Sequence, residues 1–148
     1  SLEVQQILFD YMYERNGNVF PDLSADELFI ETTRMVSPVT NLDGSKNIPA
    51  HSTGGAFDIE ILQEDGSILN MEANLDDLDF DNLDPEICLT DSPKISEVAK
   101  ANRKILSDVL TAVGFVNYPT EWWHWSYGDR YWAYHKQQEF ALYGSINR

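Results

Sequence analysis

EWWHWSYGDRYW, residues 121–132, sets Trp122, Trp123 and Trp125 around His124, one of only 3 histidines in the chain. Two readings compete: a core strand that carries a stray imidazole, or one wall of an active site. Glu121 stands three residues before His124, and on a straight strand that spacing points the two side chains to opposite faces. Only a bend brings them together. The meaning of the pair therefore rests on what partners the rest of the chain supplies.

The bounds are set by composition. With 148 residues, 43% of them hydrophobic and 12% aromatic, the chain is expected to be one globular domain spanning residues 1–148 rather than a disordered segment. A net charge of -15 argues against nucleic acid and anionic membrane surfaces as partners. The single Cys88 excludes an internal disulfide, which suits the cytoplasm and also many periplasmic proteins. No apolar run is long enough to span a bilayer, and no signal peptide opens the chain.

The first residues, SLEVQQILFDYMYERNG, show no initiator Met and read as a helix already under way. Leu2, Ile7, Leu8, Tyr11 and Met12 recur at helical spacing, with Gly17 as the expected C-terminal cap. The chain is therefore expected to lack an N-terminal segment of the same protein, which would then act as its partner. Ser24 and Glu27 form a capping-box pattern that predicts a second helix through LFIETTRMV. Residues 37–50 read as a loop.

AFDIEIL, residues 56–62, alternates strictly and predicts a strand with Phe57, Ile59 and Ile61 on one face. Asp65-Gly66 reads as a two-residue hairpin turn returning through SILNM. The acidic run from Glu72 to Asp91 reads as a solvated loop. Its carboxylates follow no calcium-loop spacing. Ser92-Pro93 is expected to open a long helix with Ile95, Val98, Ile105, Leu106, Val109, Leu110 and Val113 as its apolar stripe, ended by Gly114. The aromatic remainder reads as strands turning at Gly128-Asp129 and near Gln137-Gln138, with His135 at a solvent-facing strand end. This order predicts an α+β fold with an antiparallel sheet and helices packed on one side.

His51 precedes Gly54-Gly55, which can fold the loop back over the start of the strand and bring the imidazole near Asp58. The competing reading is a loop histidine and a solvated aspartate. Together with Glu121 and His124, however, the chain holds two histidines, an aspartate and a glutamate. That is the inventory of a zinc hydrolase: side-chain ligands around a metal, plus a carboxylate to take a proton from water.

These residues resemble a known family. HSTGGAFDI is similar to the S-x-H-x-x-G-x-A-x-D metal motif of zinc D-alanyl-D-alanine dipeptidases, and EWWHW is similar to their E-x-W-H segment. MEANLD, residues 71–76, resembles the family's M-G-x-x-F-D, and ANRKILSDVLTAVGF resembles its helix before the catalytic glutamate. The resemblance implies a zinc D,D-peptidase-like fold, with one zinc ion held by His51, Asp58 and His124 and Glu121 as general base. It also implies that Asp76 binds the amino group of the substrate, a D-Ala-D-Ala dipeptide or short peptidoglycan-derived peptide. From the residues alone, Asp76 is one of several loop carboxylates.

Two features depart from the family pattern. Pro49 stands where the family has a serine, and the family's Tyr-Arg-Pro segment, whose arginine stabilises the transition state, is not in the sequence. The departures support one rival, a zinc-binding module without turnover; a second, a D,D-carboxypeptidase or endopeptidase on the same scaffold, would be favoured by an open cleft rather than a closed pocket bearing Asp76.

Overall fold

A computed structural model describes residues 1–75 and 84–146. The aromatic run forms strand β3 (Glu121–Ser126), the centre of a three-stranded antiparallel sheet. On one side it pairs with β1 (Ala56–Asp58), and on the other with β2 (Val116–Tyr118). Every residue from Trp122 to Ser126 is buried, so both faces of β3 are covered. Trp122 and Trp125 join Met71, Cys88, Leu106 and Leu110 in the main core, with Phe57, Ile59 and Ile61 packed against it. A buried tryptophan removes enough apolar area to contribute roughly 4–6 kcal/mol before entropy is counted. The strand is therefore the anchor of the fold as well as a carrier of polar side chains.

Helix α1 (Leu2–Val19) and helix α2 (Ala25–Thr32) pack together, joined by a buried hydrogen bond from Asn16 Nδ2 to Thr32 Oγ1 at 3.2 Å. The expected capping box at Ser24 and Glu27 is present. The buried face of α1 is Phe9, Met12 and Asn16, whereas Ile7, Leu8 and Tyr11 of the expected stripe are exposed. Gly17 does not end the helix. It lies inside it, where a Cβ would touch the Leu28 side chain at 3.4 Å. Packing of α2 thus outweighs the usual helix-ending preference of glycine.

Helix α3 (Glu97–Ala112) starts later than Ser92-Pro93 suggests, because Ser96 is its cap and accepts from Ala99 N. Ser92 Oγ instead accepts from Lys94 N, closing a turn of its own ahead of the helix. Gly114, at φ +94°, follows α3 as expected. Inward-facing positions are Ile95, Ala99, Arg103, Leu106 and Leu110, while Val98, Ile105, Val109 and Val113 face outward. Arg103 is 2% exposed and donates to the carbonyls of Met71, Glu72, Ile87 and Leu89. Its guanidinium lies 5.2 Å from the Trp122 ring centroid, tying α3 to β3.

Two further expectations are corrected. The turn at Asp65-Gly66 has three residues, closed between Gln63 and Ser67 with Gly66 at φ +83°. Its ladder is a single bridge, Leu62 to Ile68, so the strand predicted over residues 56–62 shortens to β1. Phe57, Ile59 and Ile61 still share the core-facing side. The segment YWAYHKQQEF does not extend as a strand. Asp129 Oδ1 accepts from Trp132 N at 2.8 Å and starts helix α4 (Arg130–His135), so a local cap overrides aromatic strand preference. Among the described residues, no helix is long and apolar enough to cross a membrane.

Candidate active site

The bend required between Glu121 and His124 is built into the edge where β3 meets β2. Val116 faces Ser126 and Asn117 faces Trp125, but Tyr118 then faces Glu121, so residues 122–124 are extra on the β3 side. Carbonyls that would lose their partners there are collected by one side chain. Asn117 Nδ2 donates to the carbonyls of Glu121 (3.2 Å), Trp122 (3.4 Å) and His124 (3.0 Å), while its Oδ1 accepts from Thr90. Glu121 Oε2 thereby comes to 3.7 Å from His124 Nδ1. The sequence reading missed Asn117, although an asparagine inside a strand-forming run is itself a signal of irregular pairing.

On the opposite edge β3 keeps regular register, and Asp58 of β1 pairs directly with His124. Residues paired across an antiparallel ladder share a face, and Asp58 Oδ1 lies 3.1 Å from His124 Nδ1. His51 arrives from a 3-10 turn, Ala50–Thr53. The chain reverses through Gly54 at φ +71°, then passes so close to the next segment that a Cβ on Gly55 would lie 2.5 Å from the Tyr127 carbonyl oxygen. Two adjacent glycines are therefore needed for different reasons, left-handed backbone at one and close approach at the other. The result sets His51 Nε2 3.5 Å from Asp58 Oδ1, with the two imidazole rings 4.7 Å apart.

One potential ligand atom from each of His51, Asp58 and His124 lies within 4.8 Å of the others. Tetrahedral zinc with bonds of about 2.0–2.1 Å requires ligand atoms roughly 3.3 Å apart, close to both histidine–aspartate separations. Ser126 Oγ stands 3.5 Å from His124 Nε2, where it can help orient the imidazole whose Nδ1 faces Asp58. Burial holds the His51 imidazole below its ordinary range, so the neutral, ligating form is favoured. His135 stays outside this group, exposed on α4 with its ring 4.3 Å from that of Tyr131. Asp76 lies outside the described residues.

Burial pushes the Glu121 carboxyl from 4.5 up to about 7, with Asp58 adding to the rise and His124 opposing it. In the metal-free protein the folded state therefore holds the Glu121 proton more tightly than the unfolded state does. Unfolding releases that proton, so stability from this group is full below pH 4.5 and is lost as pH rises through about 7. The expected difference between wild type and Glu121→Gln across that window is up to about 3 kcal/mol, with the wild type losing stability. Urea unfolding of both proteins with chelator, at pH 5 and pH 8, measures it. Parallel pH profiles would contradict the buried placement of this carboxyl.

The cluster opens onto a cavity of about 490 Å³, bordered by Tyr118, Trp123, Tyr131 and the exposed α1 residues Leu8 and Tyr11. A size in the range of about 300–1,000 Å³ is typical of small-molecule sites. Two histidines and an aspartate that can share one ion, beside a buried carboxyl and under a largely apolar wall, form the donor set used by metal-dependent hydrolases. The chain matches the model of the peptidase M15 family, D-ala-D-ala dipeptidase, over residues 3–142, and it belongs to that family. It is 34% identical over 110 residues to a D-alanyl-D-alanine dipeptidase of Synechocystis sp., covering 66% of this chain and 44% of that protein. It is 35% identical over 74 residues to a D-alanyl-D-alanine dipeptidase of Escherichia coli (strain K12), covering 50% of this chain and 35% of that protein. The chain thus spans less than half the length of these curated relatives. No solved structure matches it significantly.

Proposed function

We propose that this protein hydrolyses a D-alanyl-D-alanine type dipeptide in a zinc-dependent reaction on a zinc D,D-peptidase-like fold. The observation that carries this reading is the convergence of His51, Asp58 and His124 beside the partly buried Glu121. Family membership and the names of the two relatives support the substrate class.

His51 Nε2, Asp58 and His124 Nδ1 would hold the ion. Zinc, when bound, supplies Lewis acidity that polarises the scissile carbonyl and makes water more acidic. Glu121 is the proton carrier. Its carboxylate accepts a proton from the attacking water and passes it to the nitrogen of the leaving amino acid as the C–N bond breaks. Its side chain, 3.7 Å from His124 and largely shielded from solvent, is placed to make both transfers at the same centre. Trp123 and Tyr118 line the cavity beside it and limit competing solvent.

A second reading, cleavage of a longer peptidoglycan-derived peptide, is favoured by one observation: the cavity is larger than two alanine residues need. Incubating the purified protein with D-Ala-D-Ala and following free D-alanine tests the first reading. Release that stops with chelator and returns with zinc is expected. No release from the dipeptide, with release from a longer muropeptide, would transfer the assignment to the second.

A further inference from the structure

Tyr118 and Glu121 flank the turn Pro119-Thr120 and pair with each other across it. Residues paired in this way put their side chains on one face, with Cβ atoms about 4.5–5.5 Å apart. The phenol therefore stands beside the carboxyl assigned as proton carrier. Its backbone is held on both sides. Pro119 restricts Tyr118 to extended conformations, and the Pro119 carbonyl accepts from Thr90 N at 3.0 Å. On the other side, the Asn117 carbonyl accepts from the Tyr131 hydroxyl at 3.1 Å.

Packing holds the ring as well. It meets the Tyr131 ring edge-on at 5.2 Å and the His124 imidazole at 5.7 Å, both measured between centroids. It borders the cavity together with His51, Asp58, Glu121 and His124. Its hydroxyl makes no hydrogen bond among the described residues, whereas the O–H of neighbouring Tyr131 is already given to Asn117. Tyr118 thus mounts a neutral, uncommitted donor at the metal-ligand end of the cavity. Charge makes that position informative. As water adds to a peptide bond, the scissile carbonyl oxygen gains negative charge. Asp58 and Glu121 already stand there in a chain of net charge -15, so that oxygen needs a donor close by.

We propose that Tyr118 is a further catalytic residue, whose hydroxyl donates a hydrogen bond to the scissile carbonyl oxygen as charge develops on it. This rests on the peptidase reading above and adds a donor that reading leaves open. The phenol keeps its proton throughout, and Glu121 carries the one that moves. The bond strengthens as the carbonyl oxygen becomes an oxyanion, so it acts on the chemical step more than on substrate binding.

The test is Tyr118→Phe, which deletes one oxygen and keeps the ring. Zinc-loaded wild type and variant are compared in turnover of D-Ala-D-Ala and in calorimetric binding of its phosphinate analogue, whose tetrahedral phosphorus imitates the adduct. Zinc content and melting temperature check the metal site and the fold. In Tyr118→Phe, kcat is expected to fall about a hundredfold or more while KM stays within about twofold. Phosphinate affinity should fall by a similar factor, because the analogue carries the oxygen that the hydroxyl serves. Phosphinate affinity or measurable turnover within about threefold of wild type would overturn the inference. So would lost zinc, a change confined to KM, or absence of phosphinate binding by the wild type. Tyr118-dependent phosphinate binding in a protein whose wild type cleaves no D-Ala-D-Ala would uphold the donor and refute the hydrolytic reading instead.

Discussion

Replacing Glu121 with Gln is expected to lower turnover of D-Ala-D-Ala by about a hundredfold to ten-thousandfold while zinc content stays at the wild-type level. Gln keeps the shape and polarity of the side chain but cannot accept the proton from water. Retained zinc is the discriminating half of the result. Glu121 Oε2 is 3.7 Å from His124 Nδ1, close enough to serve the same centre, and the three other donors already form a set that leaves a position open for water. Zinc content by elemental analysis and turnover, measured on one preparation, separate the alternatives. Unchanged turnover would remove Glu121 from the reaction, and lost zinc would make it a ligand.

Arg103→Met should destabilise the folded protein by about 3–5 kcal/mol, because it strips a buried hub of its hydrogen bonds. The guanidinium binds four backbone carbonyls, with no carboxylate among its partners in the described residues. Burial lowers it to about 10, so it remains charged at neutral pH. Methionine of similar length would fill much of the space yet remove the donors these carbonyls face, and of the four the Leu89 carbonyl keeps another donor, Ser92 N. Trp122, under the guanidinium, would lose its contact as well, and with it part of the hold on β3. Arg103→Lys should recover little, since one ammonium cannot reach all four oxygens. The shift in urea midpoint gives the measurement, and a loss below about 1 kcal/mol would show that water or neighbouring groups replace the arginine.

Much of the site was legible in the sequence because its geometry is made by local chemistry. Gly54 and Gly55 mark the reversal that returns His51 toward Asp58, and Asp58 meets His124 by simple antiparallel register. The capping box at Ser24 and the left-handed Gly114 were legible for the same reason. What escaped depends on tertiary partners. Hydropathy placed Val98, Ile105 and Val109 on the inner face of α3, whereas the inner face is held partly by Arg103, whose value lies in distant carbonyls. Gly17 stays helical because Leu28 packs over it, and α4 forms because one aspartate caps a run of aromatic residues. Asn117 illustrates both sides: the residue type hinted at irregular pairing, but only the sheet reveals which three carbonyls it serves.

We propose that His51, Asp58 and His124 share one zinc ion, and zinc stoichiometry decides whether they do. Elemental analysis after dialysis is expected to find about one zinc per chain in the wild type and in His135→Ala. His51→Ala should retain little, because removing one of three protein ligands leaves too few to hold the ion against dialysis. Full zinc in His51→Ala, or its loss in His135→Ala, would contradict the assignment.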